Sequence, residues 1–290
     1  MSGLPRFFPE YQERVAAELR RLVPDENGGT GPVPRAMAYT ALAPSKQVRA
    51  VLVLLCAELC RGQVSQAVPA GAAIELVHAS SLILDDLPSM DNAPLRRGRR
   101  ANHLESGEAI AVLAAFGLLN LAYGALARAY EPAMAARMSS ILSDAIGPAG
   151  LIGGQALDLQ ATDQPISFAA LERIHRGKTG ALFVAAATCG ALTAGAAAEP
   201  IAALSAYAKN LGLAFQIVDD LLDVSGDPAS TGKAVRADAR KTTFVSFSGV
   251  DGARQLAAEL CETADRALTP FGANADRLRE LSAFVASRRR

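Results

Sequence analysis

Residues 70–91 read AGAAIELVHASSLILDDLPSMD. Ile74, Val77, His78, Ser81, Leu82 and Asp85 recur along one side at helical spacing, which predicts a helix over Ala70–Leu87 with an apolar body and an acidic end. Pro69 stands where a helix begins, and Pro88 interrupts it. Asp is a poor helix former and is rarely buried without a partner. Asp85 and Asp86 therefore need an explanation. Asp91 lies six residues beyond Asp85, too far for one regular turn. The expectation is that Pro88 breaks the helix and lets Asp91 curl back.

A second cluster repeats the pattern: Gln216-Ile217-Val218-Asp219-Asp220-Leu221-Leu222-Asp223. Asp219 and Asp223 are four residues apart and share a helix face. Two carboxylates about 4 Å apart repel by roughly 4 kcal/mol at an effective dielectric near 20. Several in one cavity require cations. Hard oxygen ligands suit Mg²⁺, which keeps several waters and shares its shell with substrate phosphates. One Asp-Asp-x-x-Asp on a helix is often a solvated surface; two, each preceded by an apolar run, point to a metal site.

Basic residues follow. Leu95-Arg96-Arg97-Gly98-Arg99-Arg100-Ala101-Asn102-His103 comes directly after the first cluster, and arginine forks match phosphate oxygens. The alternative is a charge-balanced loop, and Gly98 allows a tight turn in either case. Lys46 and Arg49 flank a helix start, either as a solvated turn or as holders of a second anion. His78 lies two turns before Asp85, about 10 Å along the axis, and is either a core histidine or a ligand-binding group. Arg176-Gly177-Lys178-Thr179-Gly180 is a polar island between apolar runs. Gly232-Lys233 and Lys241-Thr242-Thr243 follow the second cluster, placed to neutralise a diphosphate or to face solvent.

The rest of the chain reads as helix. Segments at Pro9–Val23, Pro34–Ala43, Arg49–Leu59, Gly107–Tyr130, Glu131–Asp144, Pro148–Gln160, Phe168–Thr179, Leu182–Ala196, Pro200–Val224, Gly252–Leu268 and Ala275–Arg288 are expected, with no sheet-like alternation and no internal repeat. No linker divides the chain, so residues 1–290 are expected to form one all-helical domain. Two uncharged stretches, Ala109–Ala127 and Ala181–Ala198, are long enough for membrane spans. Being rich in Ala and Gly, they are read as helices buried all round, not as parts of an integral membrane protein.

Composition agrees. Half of the 290 residues are hydrophobic, Trp is absent, and formal net charge is zero, which removes the footprint of a nucleic-acid binder. Cys56, Cys60, Cys189 and Cys261 match no zinc or haem spacing. Cys56 and Cys60 read as two buried thiols, consistent with a reduced, cytoplasmic protein. Met1 to Phe8 lacks a charged start followed by an apolar core, so no secretory signal is expected there. Arg288-Arg289-Arg290 reads as a frayed tail.

From about Pro34 to Phe247 the sequence resembles the trans-isoprenyl diphosphate synthases, the polyprenyl synthetase family. Asp85–Asp91 is similar to the longer form of its first aspartate-rich motif. Asp219–Asp223, preceded by Phe215-Gln216, is similar to the second, and Gly153-Gly154-Gln155-Ala156-Leu157-Asp158-Leu159 to a further signature. His78–Leu95 and the short Asp238–Thr243 are similar to the carotenoid-pathway geranylgeranyl diphosphate synthases. The resemblance implies an all-α bundle around a deep central cavity, usually a homodimer. It also implies condensation of an allylic prenyl diphosphate with isopentenyl diphosphate, using Mg²⁺, three ions per site. Asp85, Asp91 and Asp219 would be direct metal ligands, with Asp86, Asp220 and Asp223 supporting. Arg96, Lys178 and Lys233, with Lys241 nearby, would hold the allylic diphosphate. Lys46, Arg49, His78 and Arg97 would hold isopentenyl diphosphate, and Thr179 and Gln216 would face the developing carbocation. The family's basic segment usually reads Gly-Gly-Lys-Arg-x-Arg-Pro. Here it is Pro44-Ser45-Lys46-Gln47-Val48-Arg49-Ala50, so Gln47 bears on the strength of isopentenyl diphosphate binding.

Ser80, five residues before Asp85 and about a turn and a half deeper, takes the place where the family's fifteen-carbon enzymes carry a bulky aromatic. A small residue implies a twenty-carbon product. Farnesyl diphosphate synthesis is the nearest alternative product. A class I terpene cyclase is disfavoured by the second Asp-Asp-x-x-Asp. A non-catalytic regulatory subunit is disfavoured by the survival of both motifs.

Overall fold

The computed structural model describes residues 4–23, 31–225 and 241–288. They form helices α1 (Phe8–Leu22), α2 (Pro32–Ala41), α3 (Val48–Leu59) and α4 (Val64–Asp85), then a two-stranded hairpin, β1 (Leu95–Arg96) and β2 (Arg99–Arg100). There follow α5 (Asn102–Ser106), α6 (Glu108–Ala129), α7 (Pro132–Ile146), α8 (Leu151–Gln160) and α9 (Phe168–His175). A π-helical turn, Arg176–Gly180, leads into α10 (Ala181–Thr193) and the 28-residue α11 (Ala198–Ser225). The described chain resumes with α12 (Phe244–Ala267), a 3-10 segment (Thr269–Ala275) and α13 (Asp276–Ser287). The architecture is all-α, as the periodicity predicts.

Helix α3 explains the packing. Every residue from Val48 to Ala57 is buried, because α4 and α10 cover it. Gly190 of α10 lets that helix touch α3: a Cβ there would stand 2.2 Å from the Val53 carbonyl oxygen. In turn α4 packs on α6, and α11 on α10 and α12. A second apolar cluster of Leu171, Leu213, Ile217, Val218, Leu221 and Phe244 lies behind the second acidic motif.

Several expectations are corrected. Helix α4 starts at Val64, so Pro69 lies inside it. The imide nitrogen cannot donate, and the helix opens there around an outside hydroxyl. Tyr130 Oη accepts from Ala70 N–H (3.1 Å) and donates to the Gln66 carbonyl (2.7 Å), satisfying a pair that a straight helix would join directly. Helix α12 starts at Phe244 rather than Gly252, because Thr243 and Ser246 cap it reciprocally; Gly249, at φ 69°, marks the internal kink. The helix expected over Phe168–Thr179 changes to a π turn at Arg176. The hairpin was invisible to alternation because each strand has two residues. Arg97 and Gly98 both have positive φ, 54° and 73°, the signature of a tight I′ turn.

Cys56 is buried, but Cys60 is only partly so. The stretch expected to be buried all round at Ala109–Ala127 instead has an exposed apolar face, with Leu113 52% and Phe116 62% exposed. Helices α4, α6 and α11 are long and apolar enough to cross a membrane by length and composition. Within α4 two thirds of the apolar window is buried against protein.

Candidate active site

At the end of α4 the chain folds back as the proline predicts. Asp91 N–H donates to the Asp85 carbonyl (3.0 Å), and Ala93 N–H to that of Asp86 (3.2 Å). The two adjacent aspartates then part company. Asp86 is 2% exposed and clamped by Arg96 from the hairpin, whose Nε donates to both carboxylate oxygens at 2.9 and 3.1 Å and whose Nη2 donates to Oδ1. Asp85 stays partly open, and so does Asp91. Arg96 Nη2 also lies 3.8 Å from Asp85.

The second cluster divides likewise. Asp220, 2% exposed, accepts from Gln216 Nε2 (2.9 Å) and from Phe244 N–H (3.0 Å) at the start of α12. Asp219 is open enough to meet Arg288 Nη2 at 2.6 Å, and Asp223, one turn on, is partly exposed.

The π turn joins the clusters. Lys178 Nζ donates to Asp85 (3.1 Å) and Asp158 (2.8 Å), while Thr179 Oγ1 donates to Gln216 Oε1 (2.8 Å). Wide turns of this kind recur at functional sites. Helix α8 presses on it through Gly154, where a Cβ would stand 2.1 Å from the Lys178 nitrogen. Lys241 completes the first side, donating to Asp91 (2.7 Å) and Asp158 (3.0 Å). Burial alone would push the Asp85 and Asp158 carboxyls up; instead Lys178, with Arg96 at Asp85 and Lys241 at Asp158, holds both below the usual carboxylate range. Burial likewise works against the charge on Lys178, but Asp85, Asp158 and Asp91 outweigh it and push its pKa up.

A second basic group gathers around His78, two turns before Asp85 on α4. Arg49 Nη1 lies 3.5 Å from His78 Nε2, and its guanidinium sits 4.6 Å from the Phe183 ring centre. Arg97 Nη2 is 3.8 Å from Glu75 Oε1, which also accepts weakly from Ser45 Oγ at 3.4 Å. Glu75 is buried; burial raises its pKa, opposed by Arg97 and Arg49. Burial lowers Arg49 to about 10. Lys46 is partly exposed at the foot of this group, its backbone carbonyl held by Gln12 Nε2 at 2.9 Å. Gln47 stands at the N-cap of α3 in the left-handed region (φ 52°) and bounds a cavity of about 110 Å³ with Ala16, Leu19, Arg20, Ala41 and Leu42. The departure from the family's basic segment thus lines a cavity shared with α1 and α2.

Among the described residues, Asp85, Asp86, Asp91, Arg96, Lys178 and Lys241 come together, as do Thr179, Gln216, Asp219 and Asp220, and Arg49, His78 and Arg97. Lys233 lies outside the described residues. Ser80 is buried in the seam of α4 and α6, its Oγ donating to the Ala115 carbonyl (2.8 Å). Three participants were missed as such in the sequence. Glu75 and Asp158 each carried a signal, an acid inside an apolar run. Arg288, expected in a frayed tail, has a side chain only 3% exposed, donating to Asp219 and to the Phe215 carbonyl (2.7 Å) with its guanidinium 3.7 Å from that ring's centre.

No three of His, Cys, Asp and Glu among the described residues close around a metal ion by themselves. The donor chemistry still fits Mg²⁺. Asp85 and Asp91 are oxygen donors joined through a backbone hydrogen bond, each partly exposed, and this ion binds through one or two carboxylates plus phosphates and water.

Comparisons with known proteins bear on the family and the fold. The family model for polyprenyl synthetase matches residues 32–265. The chain is 43% identical over 244 residues to the farnesyl diphosphate synthase of Escherichia coli strain K12, covering 82% of each. It is 38% identical over 286 residues to the chloroplastic geranylgeranyl pyrophosphate synthase 11 of Arabidopsis thaliana, covering 95% of this chain and 80% of that one. The crystal structure of a Helicobacter pylori geranyltransferase, complexed with magnesium and isoprenyl diphosphate, superposes with a TM-score of 0.85 at 30% identity, covering 96% of this chain and 95% of that one.

Proposed function

The chain belongs to the polyprenyl synthetase family, and from that premise we propose that this prenyltransferase joins an allylic prenyl diphosphate to isopentenyl diphosphate, releasing diphosphate and yielding geranylgeranyl diphosphate. The observation that carries the reading is the pairing of Lys178 and Lys241 with Asp85, Asp91 and Asp158. Cations and carboxylates are interleaved where a diphosphate and its counterions exchange partners. Asp85, Asp91 and Asp219 would hold Mg²⁺, three ions in all, with Asp86, Asp220 and Asp223 supporting. When bound, the metal supplies Lewis-acid stabilisation of the departing diphosphate.

The chain's own residues do the rest. Lys178, Lys241 and Lys233 meet the oxygens of the allylic diphosphate, and Arg96 fixes the first cluster through Asp86 while adding positive charge beside Asp85. Lys46, Arg49, His78 and Arg97 hold isopentenyl diphosphate, with Glu75 spacing two of the arginines. The double bond of isopentenyl diphosphate attacks the allylic carbon as its bond to diphosphate breaks, and the proton then lost leaves with the released diphosphate. Thr179 and Gln216, locked to each other and to Asp220, present oxygens to the developing positive charge. The apolar bodies of α4, α6 and α11 exclude water, which would quench the cation. The whole chain works as one domain in the cytoplasm. Two copies pair as a homodimer, a reading supported by the exposed apolar face of α6 at Leu113 and Phe116.

The test is incubation with Mg²⁺, labelled isopentenyl diphosphate and allylic primers of five, ten and fifteen carbons, with chromatography of the products. A twenty-carbon diphosphate is expected. A fifteen-carbon end product keeps the reaction and overturns the length assignment, which rests on the small Ser80. Farnesyl diphosphate is the alternative, since relatives of both names match. Ser80→Phe should shorten the product; Ser80→Ala, which removes only the hydroxyl, should not. No elongation by a folded chain overturns the reading in favour of a non-catalytic subunit.

A further inference from the structure

Asp158 stands apart from both aspartate-rich motifs, on α8, yet it is the residue on which the two site lysines meet. Its Oδ2 accepts from Lys178 Nζ at 2.8 Å and from Lys241 Nζ at 3.0 Å. Each lysine has its other carboxylate in the first cluster, Lys178 on Asp85 and Lys241 on Asp91. Two ammonium groups held against one oxygen repel each other unless the anion remains between them. Asp158 is buried, while Asp85 and Asp91 are 16% and 23% exposed in their side chains. Its relation to Lys178 is also built into the backbone, because α8 and the π turn touch at Gly154, where no side chain fits.

We infer that Asp158 is a positioning residue, which holds Lys178 and Lys241 as a pair so that both cations stay beside the first cluster when Asp85 and Asp91 are engaged elsewhere. The inference rests on the functional reading above. On that reading Asp85 and Asp91 turn to Mg²⁺, and each lysine loses its carboxylate in the first cluster. Among the described residues Asp158 is the carboxylate that keeps hold of both, leaving further N–H groups for diphosphate oxygens. Without its charge the lysines separate and pair fully with Asp85 and Asp91, where they compete with the metal.

The experiment is calorimetric titration of the full chain with inorganic diphosphate at a series of Mg²⁺ concentrations, which reads binding without turnover. Asp158→Asn, folded by its circular dichroism, should bind about tenfold more weakly, as expected for a lost hydrogen bond to a charged group, and should need more Mg²⁺ for half-maximal binding. Lys241→Gln should weaken binding by about tenfold in the parent chain but by less than about threefold in the Asp158→Asn background, since coupled residues are non-additive. A merely structural role lowers the melting temperature and leaves the Mg²⁺ requirement and the coupling unmoved. If Asp158→Asn does not fold, Asp158→Ser carries the same titration; failure of both to fold makes Asp158 a folding residue and overturns the inference. Parent-like binding by a folded variant, or an equal Lys241→Gln effect in both backgrounds, overturns it too. A parent chain that takes up no diphosphate at any Mg²⁺ concentration overturns the functional reading and this inference with it; a parent that binds leaves the functional reading standing whatever the variants do.

Discussion

The two aspartate clusters each open on an adjacent Asp pair, followed by a third Asp after four residues in the first and two in the second, and they differ in how they are braced. In each, one member of the adjacent pair is buried and the other open. At the first, buried Asp86 is satisfied by a full positive charge, the Arg96 fork of the hairpin. At the second, among the described residues, buried Asp220 accepts from the Gln216 amide one turn back and from the Phe244 backbone N–H at the start of α12. The first cluster ends a helix and needs a loop to bring Asp91 back to Asp85. The second lies within α11, where helical pitch alone aligns Asp219 with Asp223. In each pair the buried member fixes the local chain, while the more open member meets a cation from a distant element, Lys178 at Asp85 and Arg288 at Asp219.

That division can be broken by substitution. The largest effect should come from the open members. Asp85→Ala and Asp219→Ala should each lower turnover by about 10⁴-fold, near 5 kcal/mol of barrier, with melting temperatures close to the parent's. Near-parent turnover in either variant ends its assignment as a metal ligand. Asp86→Asn should act on stability, by about 3–5 kcal/mol, because it removes the carboxylate that clamps the buried Arg96 and leaves the longer 3.8 Å contact to Asp85. Chemical denaturation reads this, and a loss below 1 kcal/mol would show that the clamp is ornamental.

His175 offers a smaller, pH-dependent handle beside both clusters. Burial lowers its pKa to about 4 from an ordinary 6.5. The unfolded chain then binds more protons between those values. Stability from the neutral ring is complete above pH 6.5 and declines as pH falls toward 4, by at most about 3 kcal/mol. In His175→Gln the fall in melting temperature over that window should be shallower; parallel curves would remove His175 as its source. Asp220→Asn should lower stability by about 1–2 kcal/mol, since one of the two carboxylate oxygens that accept from Gln216 and Phe244 becomes an amide NH₂. Chemical denaturation reads this, and an unchanged stability would show that neither bond braces the second cluster.

The legibility of these features followed their range along the chain. Helix α1 is readable because Val15, Leu19, Leu22 and Val23 recur at helical spacing, and Val15 and Leu19 lie on its buried face. Helix α4 begins before Pro69, and Tyr130, sixty residues on from Ala70, supplies a hydroxyl to Gln66 and Ala70 beside the proline, a contact that no local spacing announces. The free face of α6 was misjudged because apolar composition does not say which side meets protein. Gln47, the departure from the family's basic segment, lines a small cavity with residues of α1 and α2, a neighbourhood that its place in the motif does not indicate.

The sequence by itself determined the helical class, both carboxylate clusters, the return of Asp91 after Pro88 and the identity of most of the charged residues around them. These depend on periodicity, on the geometry of proline and on the cost of placing Asp in apolar helices, all local properties of the chain. Only the tertiary structure decided which aspartate of each pair is buried, that Glu75 and Asp158 space the basic groups, and that Arg288 returns to Asp219. Those outcomes depend on which distant donor reaches a carboxylate first. A buried charge takes its partner from whatever element packs against it, and no spacing along the chain records that choice.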